Sequence, residues 1–357
     1  MLLRKLPRSR LHRSNPLPTD RLQSYLSRAA PKCGPCCFWG TAMTLLLHLA
    51  DFNERRWADG FAAALPGRRV VTRADAYKPE EIEYIFIWKP KPEAFEGLTN
   101  LKAVLSLGAG VDALLRHPHL PEGVPIVRFM DESLTQQMCD YVLANVLMHQ
   151  RLVTRFIRDK AAKRWSQLYP APAWATAVGV LGLGALGSEA VKRLKAVGFQ
   201  VRGWSRTAKQ LDDVATFAGP AELDSFLAGT DILVNLLPLT PETQGILNYE
   251  TFSKLRKGGL DGYGPALVTC GRGGHQREAD LVKALTDGTL GAASIDVFET
   301  EPLPQDSPLW ELDNVWFTPH IAGASTEKTG VAFFSQVIRE HAAGKALPNI
   351  VDPARGY

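Results

Sequence analysis

The sequence predicts an α/β protein built on two doubly wound parallel sheets, and three observations carry that prediction. From Thr44 onward, short apolar runs alternate with helical patterns, the signature of parallel strands covered on both faces. At residues 177–187 one such run, AVGVLGLGALG, ends in glycines at GxGxxG spacing and passes straight into a helical pattern. The 357 residues also exceed one core, at about 100–200 residues per domain.

Hydrophobic residues at 45% and charged residues at 22% are ordinary for a globular protein. Much of the net charge of +4 comes from residues 1–42, where Arg4, Lys5, Arg8, Arg10, Arg13, Arg21, Arg28 and Lys32 face only Asp20. The remainder is slightly acidic, so nothing argues for nucleic acid, and no aromatic interleaving supports RNA binding by the basic stretch. That stretch is rich in Arg, Ser and Pro without a sustained period, which reads as disorder or as a segment outside the fold. A transit peptide would be as Arg-rich, but Pro7, Pro16, Pro18, Pro31 and Pro35 would break its helix. A secretory signal would need a much shorter basic region. A natural start at Met43, just before the first strand, is the reading preferred here. Cys33-Gly34-Pro35-Cys36 matches a redox tetrapeptide but lacks the strand before it and the helix after it that such a motif needs. Cys139 and Cys270 are isolated, no Cys/His spacing suggests zinc, and unframed cysteines point to a reducing, cytoplasmic compartment. No apolar run approaches the roughly 20 residues that cross a bilayer.

Strands are expected at 45–49, 69–72, 84–88 and 103–107, with a helix at 54–65 ended by Pro66-Gly67. The last of these strands runs into Gly108-Ala109-Gly110-Val111-Asp112. A glycine-bracketed turn there exposes N–H groups that suit a carboxylate or phosphate, although a plain strand-to-helix turn would read the same way. Residues 132–165 form one long helical pattern. The strand at 177–181 follows, and Gly182, Gly184 and Gly187 divide three jobs: the turn, the approach of a pyrophosphate, and close helix packing. Residues 199–205 read as a second strand, closing a βαβ unit. Further strands at 232–236, 266–269, 293–298 and 315–318 alternate with helices at 221–227, 249–255 and 278–285. A second doubly wound domain thus spans 134–319, and the helix at 326–341 returns to the first domain, 43–133 with 320–357.

Ligands of open α/β sheets bind beyond the carboxyl ends of the strands. Arg272, Glu301 and His320 each follow a strand end, and an arginine, a carboxylate and a histidine can converge there. At the end of the second strand of the glycine unit stands Arg202-Gly203-Trp204-Ser205-Arg206-Thr207, with no acid before Asp212. A carboxylate there would hold ribose hydroxyls; instead Arg206 can pair with the extra phosphate of NADPH, and Ser205 and Thr207 can donate to it.

The order GLGALG, GRG, DVFETEPLP and TPHIAG resembles the D-2-hydroxyacid dehydrogenase family over residues 44–357. Leu107 to Asp112, Trp204-Ser205-Arg206-Thr207, Leu236-Leu237-Pro238 and the terminal Ala354-Arg355-Gly356-Tyr357 resemble its bacterial glyoxylate/hydroxypyruvate reductase branch. The resemblance implies two Rossmann-like domains, the nucleotide-binding one inserted into the substrate-binding one. It also implies a homodimer that reduces short 2-oxoacids with NADPH. It places Arg272 on the substrate arginine, Glu301 on the catalytic carboxylate and His320 on the acid/base. Glu301 would orient His320 and raise its pKa. The implied cofactor contacts are Gly182, Gly184, Ala185, Leu186, Gly187, Trp204, Ser205, Arg206, Thr207, Leu237, Pro238, Thr243, Cys270, Gly271 and Asp296, with Asp296 at the nicotinamide carboxamide. Trp88, Gly108, Ala109 and Gly110 would line the substrate site with Arg272 and His320. Cys270 has no catalytic role in this reading. Residues 260–265 make a longer connection than the family's, expected to be disordered at the amino edge of the sheet. Two other functions fit the same fold: a dinucleotide-sensing corepressor, and an NAD-linked dehydrogenase of larger hydroxyacids. The dimer would form through 132–165, whose Leu143, Val146, Leu147, Leu152 and Phe156 exceed what one domain face needs.

Overall fold

Two parallel sheets organise the chain. The computed structural model describes residues 43–356; the basic extension 1–42, with its Cys33-Gly34-Pro35-Cys36, and Tyr357 lie outside the described residues. The strands are β1 (Thr44–Leu49), β2 (Arg69–Thr72), β3 (Ile82–Trp88), β4 (Ala103–Ser106), β5 (Ile126–Arg128), β6 (Ala177–Leu181), β7 (Gln200–Ser205), β8 (Ala215–Ala218), β9 (Ile232–Asn235), β10 (Ala266–Thr269), β11 (Ala292–Ile295) and β12 (Val315–Phe317). The helices are α1 (Glu54–Ala64), α2 (Asp112–Leu115), α3 (Glu132–Gln150), α4 (Val153–Ala161), α5 (Ala185–Val197), α6 (Gly219–Ala228), α7 (Tyr249–Ser253), α8 (Glu278–Asp287) and α9 (Glu327–Ala342).

The first sheet has the order β2-β1-β3-β4-β5 and the second β12-β11-β10-β9-β6-β7-β8. Both are parallel, and both have apolar cores on each face. In β1, Leu45, Leu47 and Leu49 enter one core and Leu46 the other, as period-two side chains must when both faces are covered. In the second sheet Val178 and Val180 face a core shared with Val142 and Val146 of α3, while Leu181 and Leu233 face one shared with Phe226, Leu281 and Leu285. Helix α3 starts on an Asp131 cap that accepts from the Leu134 amide at 2.7 Å. Its Leu134 belongs to the first sheet's core and its Val142 and Val146 to the second's, so this helix links the two layers. Helix α9 returns to the first sheet, where Phe334 is fully buried against Phe86, Phe129 and Phe333. The tail then pairs antiparallel with β5, the Val351 amide donating to the Ile126 carbonyl at 2.9 Å.

Three expectations need correction. The pattern over 132–165 is two helices, because Leu152 adopts a left-handed φ of 54° and buries its side chain at the break. A buried leucine fits the periodicity of either helix, so the sequence does not show the bend. Val146 and Leu152 are therefore internal, and Leu143 and Leu147 are half-buried against the second core. The exposed apolar surface lies instead on Phe156 and Ile157 of α4 and on Trp165, Tyr169 and Trp174 beyond it. Residues 260–262 form a 3₁₀ turn that tucks Leu260 into the core rather than a disordered connection. Strands β5 and β8, of three and four residues, carry too little period to be read from sequence. Among the described residues, no helix is long and apolar enough to cross a membrane, and no cluster of His, Cys, Asp or Glu could hold a metal.

Removing Phe334 tests whether α9 is integral to the first core. Phe334→Ala should cost about 3–5 kcal/mol in urea-denaturation stability, the range for emptying a fully buried aromatic site. A loss under about 1 kcal/mol would place α9 outside that core.

Candidate active site

The order of the second sheet reverses at β6, which pairs with β9 on one side and β7 on the other. The crevice beyond the carboxyl ends of those strands is where such sheets take a ligand. At the end of β6, Gly182 adopts φ +99°, and a Cβ there would press on the Leu236 carbonyl at 2.9 Å. A Cβ on Gly187 would fall 1.7 Å from the Gly182 carbonyl oxygen, so α5 sits this close to its turn only with glycine there. Helix α5 begins at Gly184 without a capping side chain. Its first amides and the positive end of its dipole therefore suit a pyrophosphate, and the residues present fit a dinucleotide.

Arg272, Glu301 and His320 meet in one cleft of about 250 Å³, lined also by Asp112, Leu239, Gly273, Gly274, Phe298 and Glu299. Arg272 leaves the end of β10 and is held from several sides. Its Nε donates to Asp112 Oδ1 at 3.1 Å and its Nη1 to the Gly271 carbonyl at 2.8 Å. Its backbone amide donates to His275 Nδ1 at 3.1 Å, and Asn235 Nδ2 lies 3.1 Å from the same nitrogen. The guanidinium lies against Gly110, where a Cβ would come within 1.5 Å of Nη2. The turn after β4 thus has glycine at this place because the arginine occupies the space of a side chain.

His320 follows β12 with a left-handed φ of 56°, and its Nδ1 lies 2.8 Å from Glu301 Oε2. A carboxylate only accepts, so Nδ1 carries the proton in either charge state and Nε2 is the nitrogen that gains or loses one. Glu301 Oε1 accepts from the Phe298 amide at 3.1 Å. Partial burial pushes the Glu301 carboxyl up, but the bonds from His320 and Phe298 and the charges of His320 and Arg272 outweigh it. Its pKa stands below the usual glutamate value.

Other residues named from sequence have different surroundings. Asp296 is 1% exposed, and its carboxylate accepts from Thr318 Oγ1 and from the Ile321 and Ala322 amides. Three of roughly four acceptor positions are taken within the chain. Trp204 is buried, donates from Nε1 to the Gly219 carbonyl at 2.9 Å, and gives its own carbonyl to the Gly182 amide, so its ring is part of the core. The Ser205 hydroxyl donates its one proton to the Thr207 carbonyl at 2.7 Å, and the neighbouring Arg206 and Thr207 are exposed. Leu237 is buried below the half-buried Pro238, whose carbonyl accepts from Thr243 Oγ1 at 2.8 Å. Ala185 and Leu186 form the first turn of α5. Cys270 is buried and burial pushes its thiol far up, while Gly271 packs near Asn235 and His275. Trp88, at the end of β3, backs the Gly108 turn, since a Cβ on Gly108 would lie 3.0 Å from its ring; Ala109 packs beside the first core. Sequence reasoning missed Asp112 as a partner of Arg272, although it stands in the same GAGVD turn, and missed Asn235 and His275, which carry no sequence signal.

The family model for "D-isomer specific 2-hydroxyacid dehydrogenase, NAD binding domain" matches residues 143–322. The chain belongs to the D-isomer specific 2-hydroxyacid dehydrogenase family. This dehydrogenase is 37% identical over 322 residues to a glyoxylate/hydroxypyruvate reductase A of Yersinia enterocolitica, covering 88% of this chain and 100% of the relative. A probable 2-hydroxyacid dehydrogenase from Rhizobium etli, solved with NADP, HEPES and tartaric acid, superposes with a TM-score of 0.82 at 43% identity, covering 88% of this chain and 100% of that one. An NADPH-dependent glyoxylate/hydroxypyruvate reductase from Sinorhizobium meliloti, solved with NADP and sulfate, gives 0.81 at 39% identity with the same coverage.

The fit of Arg272 over Gly110 makes a test of the cleft. Gly110→Ala should displace the guanidinium and lower turnover by about 100-fold, the scale of a misplaced reacting group. Dinucleotide affinity, read by fluorescence titration, should stay near wild type because residues 182–187 are untouched. Wild-type turnover would show that the guanidinium need not lie there.

Proposed function

We propose that the enzyme reduces short 2-oxoacids with NADPH, taking glyoxylate to glycolate and hydroxypyruvate to D-glycerate. The observation that carries this reading is the convergence of Arg272, Glu301 and His320 in one cleft. NADPH, when bound, supplies the hydride that reaches the carbonyl carbon. Gly182, Gly184, Ala185, Leu186 and Gly187 would cradle its pyrophosphate, with Leu237, Pro238, Thr243, Cys270, Gly271 and Asp296 around its other end. Protonated His320 delivers the proton from Nε2 to the carbonyl oxygen as charge builds there. Glu301 fixes the ring through Nδ1. Arg272 holds the substrate carboxylate and polarises the carbonyl, a role that suits a guanidinium which stays charged. Amides of the Gly108-Ala109-Gly110 turn, backed by Trp88, take the second carboxylate oxygen. In this reading residues 134–319 form the nucleotide-binding domain, and 43–133 with 320–357 the substrate-binding domain. The buried free thiols of Cys139 and Cys270 suit the reducing conditions of the cytoplasm.

We further propose a homodimer. The exposed Phe156, Ile157, Trp165, Tyr169 and Trp174 are more apolar surface than one region of a monomer ordinarily leaves in water. Light scattering at micromolar concentration should give twice the chain mass; a monomer mass would remove this proposal.

Cofactor choice rests on Arg206. A charge-assisted bond contributes roughly 1.5–3 kcal/mol. Arg206→Ala should therefore weaken NADPH by about 10- to 100-fold, at about 1.4 kcal/mol per decade. NADH, which offers no 2′-phosphate, should be little affected. Glyoxylate and hydroxypyruvate reduction is measured with both cofactors on wild type and variant. Equal losses for the two cofactors, or a wild type that favours NADH, would contradict the assignment, and binding of NADPH without turnover would contradict the enzyme.

A further inference from the structure

We propose that Thr318 and Tyr141 are positioning residues for His320, acting through the buried carboxylate of Asp296. The inference rests on His320 being the proton donor.

His320 holds a left-handed backbone that a residue with a Cβ keeps only when its surroundings over-determine it. Asp296 supplies most of the bonds that hold it, beside the Glu301 contact and a second bond from the His320 amide to the Thr318 carbonyl at 3.0 Å. The Asp296 carbonyl accepts from the His320 amide at 2.8 Å. Asp296 Oδ1 accepts from the Ile321 amide at 2.8 Å and Oδ2 from the Ala322 amide at 3.0 Å. Oδ1 also accepts from Thr318 Oγ1 at 2.6 Å. Asp296 thereby grips the chain on both sides of His320 from the end of β11.

The direction of the remaining bond follows from proton counting. A carboxylate has no proton to give, so the single hydroxyl proton of Thr318 points to Asp296. The bond of 2.9 Å between Tyr141 and Thr318 must then run from the phenol to Thr318 Oγ1. Burial pushes the Tyr141 phenol well above its ordinary range, which keeps that donor protonated. Tyr141 stands in the middle of α3, between Cys139 and Val142, which are locked into the second core. The chain of donors Tyr141, Thr318, Asp296 therefore anchors the His320 turn to a rigid helix. Because neither Thr318 nor Tyr141 lines the cleft or bonds to Glu301, the two should act on the placement of the imidazole and not on glyoxylate affinity.

The test is a double-mutant cycle with NADPH and glyoxylate. Thr318→Val should lower kcat by about 10- to 100-fold, the scale of a small misplacement. KM for glyoxylate should stay within about 3-fold, and Thr318→Ser, which keeps the hydroxyl, should restore most of the rate. Tyr141→Phe should lower kcat less than Thr318→Val. In a His320→Ala background both substitutions should have no further effect, because groups that act as a unit are not additive. Wild-type kcat in Thr318→Val and Tyr141→Phe, or equal losses with and without His320, would overturn the inference while leaving His320 as donor. A His320→Ala enzyme with full kcat would instead overturn the reading of His320 itself. Circular dichroism and melting temperature report folding; if Thr318→Val does not fold, Tyr141→Phe, which removes one atom, decides the cycle.

Discussion

The contact on which the site depends is a guanidinium lying against a glycine. Arg272 comes from the second sheet and Gly110 from the turn after β4 in the first, and the two can touch only because position 110 has no side chain. Asp112, two residues on, fixes the guanidinium by its Nε, and the Gly271 carbonyl fixes Nη1. With Nε and Nη1 engaged, the plane of the group is set before any ligand arrives. Such pre-organisation lowers the cost of ordering a long side chain at the moment of binding.

That contact is available because both sheets are parallel and residues beyond the carboxyl ends of their strands line the same cleft. A parallel strand delivers its next residue at the carboxyl edge, so Gly108 after β4, Arg272 after β10 and His320 after β12 all emerge there without a special path. Helix α3 contributes to both layers, with Leu134 in one core and Val146 in the other. The turn bearing His320 leans on this helix through Tyr141 and through Gln137, whose Oε1 accepts from the Ala324 amide at 3.2 Å.

What could be read from sequence, and what could not, divides along local and non-local physics. Gly182, Gly184 and Gly187 are legible because a strand, a tight turn and a helix succeed one another within eleven residues, and each glycine answers a local need. Arg272, Glu301 and His320 are legible as residues at strand ends, but their convergence depends on strand order, which no single stretch encodes. The bend at Leu152 escaped because it is made by burial and not by Gly or Pro. Trp204 and Ser205, the last two residues of β7, carry an expected cofactor contact, and their side chains also bond within the chain, to the Gly219 and Thr207 carbonyls. A motif fixes which atoms are near an edge; it does not fix which neighbour claims their hydrogen bonds.

The histidines show the same division in energetic form. His48 and His149 are buried, and both stand at a pKa of about 4, His149 lowered by burial and His48 by burial and then by the nearby Arg73. His275 is fully enclosed and is also lowered by burial. These rings are neutral scaffolding: His48 accepts from the Lys91 amide, His149 Nε2 lies 2.8 Å from the Ser294 hydroxyl, and His275 accepts from the Arg272 amide. His320 differs in that its side chain is 41% exposed at the cleft and its Nδ1 faces a carboxylate. Burial lowers three rings that serve as neutral scaffolding, while the imidazole at the mouth of the cleft keeps its solvent contact and a carboxylate partner, the surroundings that its proposed role as proton donor requires.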